Sequence, residues 1–369
     1  MNQLFRWDQT GLFLLALAAG ILPFAVPEVC AAALREGLTL CCGPLLLSLF
    51  PFLVVSRLLI QCPESDLLAL PFRLAAWGIG IRTPCAARVL CIGFLGGFAP
   101  AASAAAQAVR TGQLTAEEAD ALLPACICSG PSFVVLTVGQ SLLGSAELGV
   151  LLFASQITAN YLTAALLNRF AGVRSVKPGS AAPASPAPPR LDEILADAAI
   201  TYCKLCGFIL FFRMLAAGAG VLLPAGAGTL CSILLEVCSG CDLASRTGRW
   251  GSLLCCAALS VQGLSVLLQV RTICPPEMTL RPLYRARMLH LPLSLALFYL
   301  LLPGGEADVF STLPARVLLM RRVPPDCALL VFAVCCMAAC TLCSGIRQVE
   351  QKQMARNAGG CCINSKTLL

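Results

Sequence analysis

Apolar runs recur along the chain from Gly11 to Cys343, several of them near the roughly 20 residues a helix needs to cross a bilayer. Charge is confined to short clusters between them. With 58% hydrophobic and 12% charged residues, a soluble domain of 369 residues could not bury so much apolar surface. The expected fold is all-α, a polytopic helical membrane protein in direct contact with the lipid bilayer. The formal charge of +7 then bears on orientation and implies no nucleic-acid partner.

Arg6 precedes the first run, Gly11 to Ala33, which is too long for a signal-peptide core and lacks an evident cleavage site. It reads as an uncleaved span that kinks or ends early at Pro23 and Pro27. Leu38 to Ile60 holds Gly43, Pro44 and Pro51 and reads as a kinked span. Leu67 to Ile81, short and carrying Arg73, is re-entrant or interfacial. Cys85 to Val109 and Leu122 to Leu143 form the arms of a hairpin, and Leu148 to Phe170 is a further span. Residues 173–190 are a Pro/Ala/Ser linker outside the membrane. Beyond it come Ile200 to Leu222, Leu223 to Ala244 as an entering-and-leaving hairpin, Gly251 to Val270, Met288 to Leu302 and Cys327 to Cys343. The chain thus divides into a membrane half (1–172), the linker, a second membrane half (191–345) and a polar basic tail (346–369). Basic residues in the linker, the 271–287 loop and the tail place all three on the cytoplasmic side.

Within the first half, residues 96–143 put helix-breaking residues inside apolar sequence: Gly96, Gly97 and Pro100 in one arm, Ser129, Gly130, Pro131 and Ser132 in the other. Broken backbone at membrane depth is tolerated only where it is buried in protein or lines a watery cavity. The stretch therefore reads as part of a substrate path. At the hairpin tip Thr115 and Glu118 fit a capping box, and Glu117, Glu118 and Asp120 read as a solvated first helical turn.

The halves echo each other in order. An apolar helix ending in Arg57 or Arg213 is followed by a glycine-broken element, Gly96–Ser103 or Glu236–Ala244, and then by a segment with serine and glycine, Ser129–Val135 or Ser260–Val266. The Cys-Ser-Gly shared by 128–130 and 238–240 falls at different places in that order and reads as coincidence. Repeated halves with interrupted helices are a carrier architecture, with the site near the midplane where the halves meet.

The run GGFAPAASAAAQAVRTGQLTAEEADALLPACICSGPSFVVLTVG, residues 96–139, resembles a block of the YlbJ-type sporulation integral membrane proteins of the nucleoside-recognition, or Gate, group. LLEVCSG at 234–240, ALSVQGLSVLLQV at 258–270 and LYRARMLHL at 283–291 resemble that family's later motifs in the same order. The matched motifs run in order from residue 96 to residue 291. It implies a membrane protein of the bacterial cell, in the outer forespore membrane, related to nucleoside carriers and moving dipicolinic acid towards the forespore. The chain departs from the family at Phe98-Ala99-Pro100-Ala101-Ala102-Ser103, where the family has Tyr-Pro-x-Gly-Ala-Lys, at Ile127 or Cys128 in place of an asparagine, and at Gln262 in place of a histidine. These departures leave open a nucleoside or other solute as cargo, or a non-transporting scaffold for spore envelope assembly.

For a small anionic metabolite, helices broken at Gly97, Gly130 and Gly240 offer backbone N–H groups and positive dipole ends; close packing of small residues is the alternative. The candidate substrate-binding residues are Gly97, Pro100, Ser129, Gly130, Pro131, Ser132, Glu236, Ser239, Gly240, Ser260, Gln262 and Gly263. Glu236 is the acid expected at membrane depth, either coupling transport to cations or pairing with Arg213. Arg57 and Arg213 are anion contacts or snorkelling helix-end arginines. Arg287 and His290, at the start of a span, read as interfacial anchors rather than ligands. Ser260 and Gln262, polar within an apolar run, need partners. The 23 cysteines lie mostly in apolar runs and read as small hydrophobes. No metal site, cofactor motif or catalytic constellation is expected, and a homo-oligomer is left open.

Overall fold

The structure, a computed structural model, describes residues 9–61, 63–171 and 191–302. The linker at 173–190, the run Cys327–Cys343 and the tail fall outside the described residues. Every described element is helical, and the protein is an all-α polytopic membrane protein. The N-terminal region is α1 (Gln9–Ala25), α2 (Pro27–Cys42), α3 (Pro44–Gln61) and the short α4 (Leu70–Gly78). Gly11–Ala33 is therefore not one span. Pro27 lacks an N–H and pushes Val26 out of the helical region, to φ −140°, which ends α1 there. The run 38–60 is likewise shared between α2 and α3, with Gly43 at their junction.

Next come α5 (Pro84–Gly96), α6 (Phe98–Arg110), α7 (Ala116–Cys126), a π-helical segment (Ser132–Leu142) and α8 (Ala146–Ala171). Beyond the linker stand α9 (Leu191–Leu222), α10 (Ala225–Leu235), α11 (Val237–Ser245), α12 (Gly251–Val261), α13 (Gly263–Ile273) and α14 (Arg281–Leu301). Among the described residues, four stretches are long and apolar enough to cross a membrane: 27–61, 146–171, 191–222 and 248–273. The polar lead before Ile200 is continuous with α9, which runs for 32 residues.

On both sides of the linker the later elements follow the same order. Two end-to-end pairs, α5 with α6 and α7 with the π-helix, precede the unbroken α8; α10 with α11 and α12 with α13 precede the unbroken α14. The segments that echo each other in sequence fall on these pairs. Gly96–Ser103 and Glu236–Ala244 span the first break of each set, and the second breaks lie beside Ser129–Val135 and Ser260–Val266. The two sets also pack on each other: α8 against α14, α7 against α14, and α6 against α13.

The alanine run of α6 is buried throughout, against α3, α5 and α13. Its small side chains let neighbouring backbones approach closely, which is how helices associate in lipid where no hydrophobic force acts between them.

Candidate functional site

In the first half the two breaks touch. Gly97 separates α5 from α6 with φ +81°, a left-handed conformation that only glycine adopts without strain. A Cβ on Gly97 would lie 2.7 Å from the Gly130 amide nitrogen, so the 127–131 break lies directly against it. Pro100 is buried one helical turn further on, packed against Gly96. Ser129 is buried, and Gly130, Pro131 and Ser132 are half-buried where the chain enters the π-helix. An eleven-residue π-helix is long for a form that normally appears as single-turn bulges at functional sites.

The second half repeats the approach with different chemistry. Glu236, between α10 and α11, is 2% exposed, and its carboxylate accepts the Cys238 and Ser239 amides at 2.8 and 2.7 Å. It caps the helix that follows. This corrects the expected break at Gly240: that residue sits inside α11, donates its amide to the Glu236 carbonyl at 2.9 Å and packs against Ile233. The N–H groups at this helix start are occupied by the chain's own carboxylate. Gln262 and Gly263 form the other break, both left-handed at φ +62° and +67°. A Cβ on Gly263 would meet the Leu235 carbonyl at 2.9 Å and the Glu236 nitrogen at 3.0 Å, so these breaks also touch.

Gln262 is the anomaly of the site. It is 1% exposed, occupies a conformation that costs a non-glycine residue about 1–2 kcal/mol, and has no partner for its amide oxygen or nitrogen. A buried amide without partners is costly, and such strain persists where surroundings enforce it.

A polar layer joins the two pairs of breaks. Arg287 of α14 donates to the carbonyls of Ile127, in the first-half break, and Ser260, at 3.4 Å for the latter. Asn160 of α8 also donates to Ile127 O, at 3.3 Å. Gln156 of α8 donates to Cys256 O and to the Ser260 hydroxyl, at 3.2 and 3.1 Å, and its own carbonyl meets His290 Nε2 at 3.2 Å. The Ser260 and Ser294 hydroxyls bond each other. Arg287 is 7% and His290 1% exposed, so neither is an interfacial anchor. The helix begins at Arg281, placing Arg287 nearly two turns inside it. Among the described residues no carboxylate pairs with Arg287, and its Nε has no acceptor. Gln156 and Asn160 escaped the sequence reading although Gln156, Asn160 and Thr163 recur on one face of an apolar helix.

Two further expectations are corrected, the Arg213–Glu236 pair and the solvated turn at Glu118 and Asp120. Arg213 pairs with Glu36 at 2.8 Å. Arg57, a candidate anion contact, pairs with Asp197 at 2.5 Å, away from the breaks. Glu118 and Asp120 are not solvated, at 3% and 6% exposure. The capping box at Thr115 is present, but the Glu118 carboxylate also accepts the Thr83 hydroxyl at 2.6 Å. Asp120 accepts the Thr279 and Leu280 amides at 2.8 and 3.1 Å, tying the hairpin tip to the loop before α14.

Among the described residues no group of three or more His, Cys, Asp and Glu side chains is placed to hold a metal. Burial pushes the thiol of Cys274, in that loop, up to about 12, so it stays protonated near neutral pH. Compared with protein-family models, curated proteins and solved structures, the chain matches none. The family resemblance therefore rests on the quoted motifs alone.

Proposed function

We propose that the protein is a membrane carrier for a small anionic solute, bound where the four helix breaks meet. The observation that carries the reading is Gln262, buried, left-handed and with both amide atoms unpartnered, two residues along the chain from the carbonyl that holds Arg287. Arg287 is a buried cation with no counter-ion among the described residues, a costly arrangement that marks it as a functional candidate. A carboxylate arriving between them gains a charge-assisted partner in Arg287 and accepts from the unpartnered side-chain Nε2 of Gln262. The matching order of broken and unbroken helices supports alternating access between two halves divided near the linker. From the sporulation-family resemblance we take dipicolinate as the cargo.

Proteoliposomes holding the full chain should take up labelled dipicolinate above empty vesicles and resist competition by uridine. Arg287→Leu and Glu236→Leu, checked for folding by monodispersity, should reduce uptake at least tenfold. Wild-type uptake equal to that of empty vesicles overturns the proposal, and competition by uridine alone changes the cargo to a nucleoside.

A further inference from the structure

Away from the breaks, a cavity of 160 Å³ opens between α3, α6, α9 and α13. Arg57, Arg110 and Lys204 line it together with Ser103, Thr201 and Asp197. The charges are graded by depth. Arg110 and Lys204 are exposed at the rim, whereas Arg57 is 8% and Ser103 3% exposed. Three cations face one carboxylate, and that carboxylate is loosely held: the Asp197 side chain is 62% exposed while its Arg57 partner is 10% exposed. The remaining Arg57 contact is Nη2 to the Thr201 hydroxyl at 3.3 Å, and Nε is buried without an acceptor.

From this arrangement we infer an anion-binding site: the cavity takes the carboxylate or phosphate group of a small anion at Arg57, with Asp197 acting as a displaceable internal counter-ion. An arginine nine-tenths buried in a polar cavity presents a planar fork suited to such groups, and cations at the rim raise the local anion concentration. Asp197 occupies one arm of the fork, at Nη1. Swinging this carboxylate into water costs little because it is already mostly exposed, and the arriving oxyanion replaces its bond to Nη1 and reaches the unpartnered Nε.

The site is distinct from the crossing of the breaks. Ser103, deep in the cavity, lies six residues along α6 from Gly97, about 9 Å at the helical rise. Binding here requires no transport, so the inference and the carrier proposal can fail separately.

The test is binding to the purified full chain in nanodiscs of phosphatidylcholine alone, titrated with inorganic phosphate and, separately, with pyridine-2,6-dicarboxylate. A parallel arm replaces a third of the lipid with phosphatidylglycerol and measures retention of that lipid. Asp197→Asn should tighten binding of the responding anion severalfold by removing its competitor. Lys204→Gln with Arg110→Gln, both at exposed positions that the fold tolerates, should weaken it about tenfold. A response to the soluble probes identifies a free anion as the ligand; a response confined to phosphatidylglycerol identifies a lipid headgroup. If Asp197→Asn and the rim pair leave every arm unchanged, with all variants melting like the wild type, the cavity holds only a structural ion pair and the inference falls.

Discussion

The two pairs of helix breaks reach the same geometry by opposite means. In the first half the chain is broken by residues that subtract, with glycine at 97 and 130 and proline at 100 and 131, and the contact is backbone on backbone. In the second half side chains are added at the break. Glu236 caps α11 from within it, and Gln262 holds a conformation suited to glycine with an amide that bonds nothing. On the carrier proposal, shape falls to the first half and recognition to the second. Its geometric side can be broken most directly. Gly97→Ala and Gly263→Ala each place a Cβ within 3.0 Å of the partner break at a positive φ, and each should cost about 3 kcal/mol or more. Loss of monodisperse protein in detergent is the expected readout. Gly130→Ala, whose Cβ would first meet a neighbour at 3.4 Å, should melt close to the wild type. If Gly130→Ala collapses as well, the first-half contact is tighter than the pairing described, and the parallel between the halves fails.

The chemical side turns on Gln262. Gln262→Gly removes a strained conformation and two orphaned polar atoms together, so it should stabilise the protein by about 1 kcal/mol while lowering uptake at least tenfold. A thermal melt and an uptake assay on one preparation decide the matter. A glycine variant that is less stable than the wild type would mean that the amide is already satisfied in the resting protein, and the second half would then be as purely architectural as the first.

Those two pairs of breaks were not equally legible in the sequence. Gly97 and Gly130 stand out because glycine and proline interrupt an apolar helix by backbone chemistry alone, which needs no tertiary context. Glu236 and Gln262 were visible as polar residues in apolar runs, but capping and left-handed backbone are set by the neighbouring break and leave no periodic mark. Arg287 was misread for a definite reason. The apolar run begins at Met288, whereas α14 begins at Arg281, so an arginine that looks terminal is buried beside Ile127. Asp120 was misread because the donors to its carboxylate, Thr279 and Leu280, arrive from the other half of the chain. Of the echo between halves the broken elements recur in the structure, but the helices do not end at Arg57 and Arg213: α3 runs on to Gln61 and α9 to Leu222.

The smallest effect tests whether helix capping in the first half is architectural, as its breaks are. Thr115 caps α7 by accepting the Glu118 amide at 3.1 Å, and Glu118 returns the bond to the Thr115 amide at 3.2 Å. Thr115→Ala removes that bond and the long one the Thr115 hydroxyl donates to the Glu118 carboxylate at 3.3 Å, while the carboxylate keeps the Thr115 amide and the Thr83 hydroxyl, so the loss should be about 1 kcal/mol. Uptake should be unchanged, since Thr115 is exposed at the hairpin tip while the crossing is buried. Glu236 occupies the equivalent role of cap in the second half but does so at a break, so its substitution should move uptake as well as stability. A Thr115→Ala variant that loses uptake out of proportion to its melting temperature would show that the hairpin tip moves during transport, and recognition could then no longer be assigned to the second half alone.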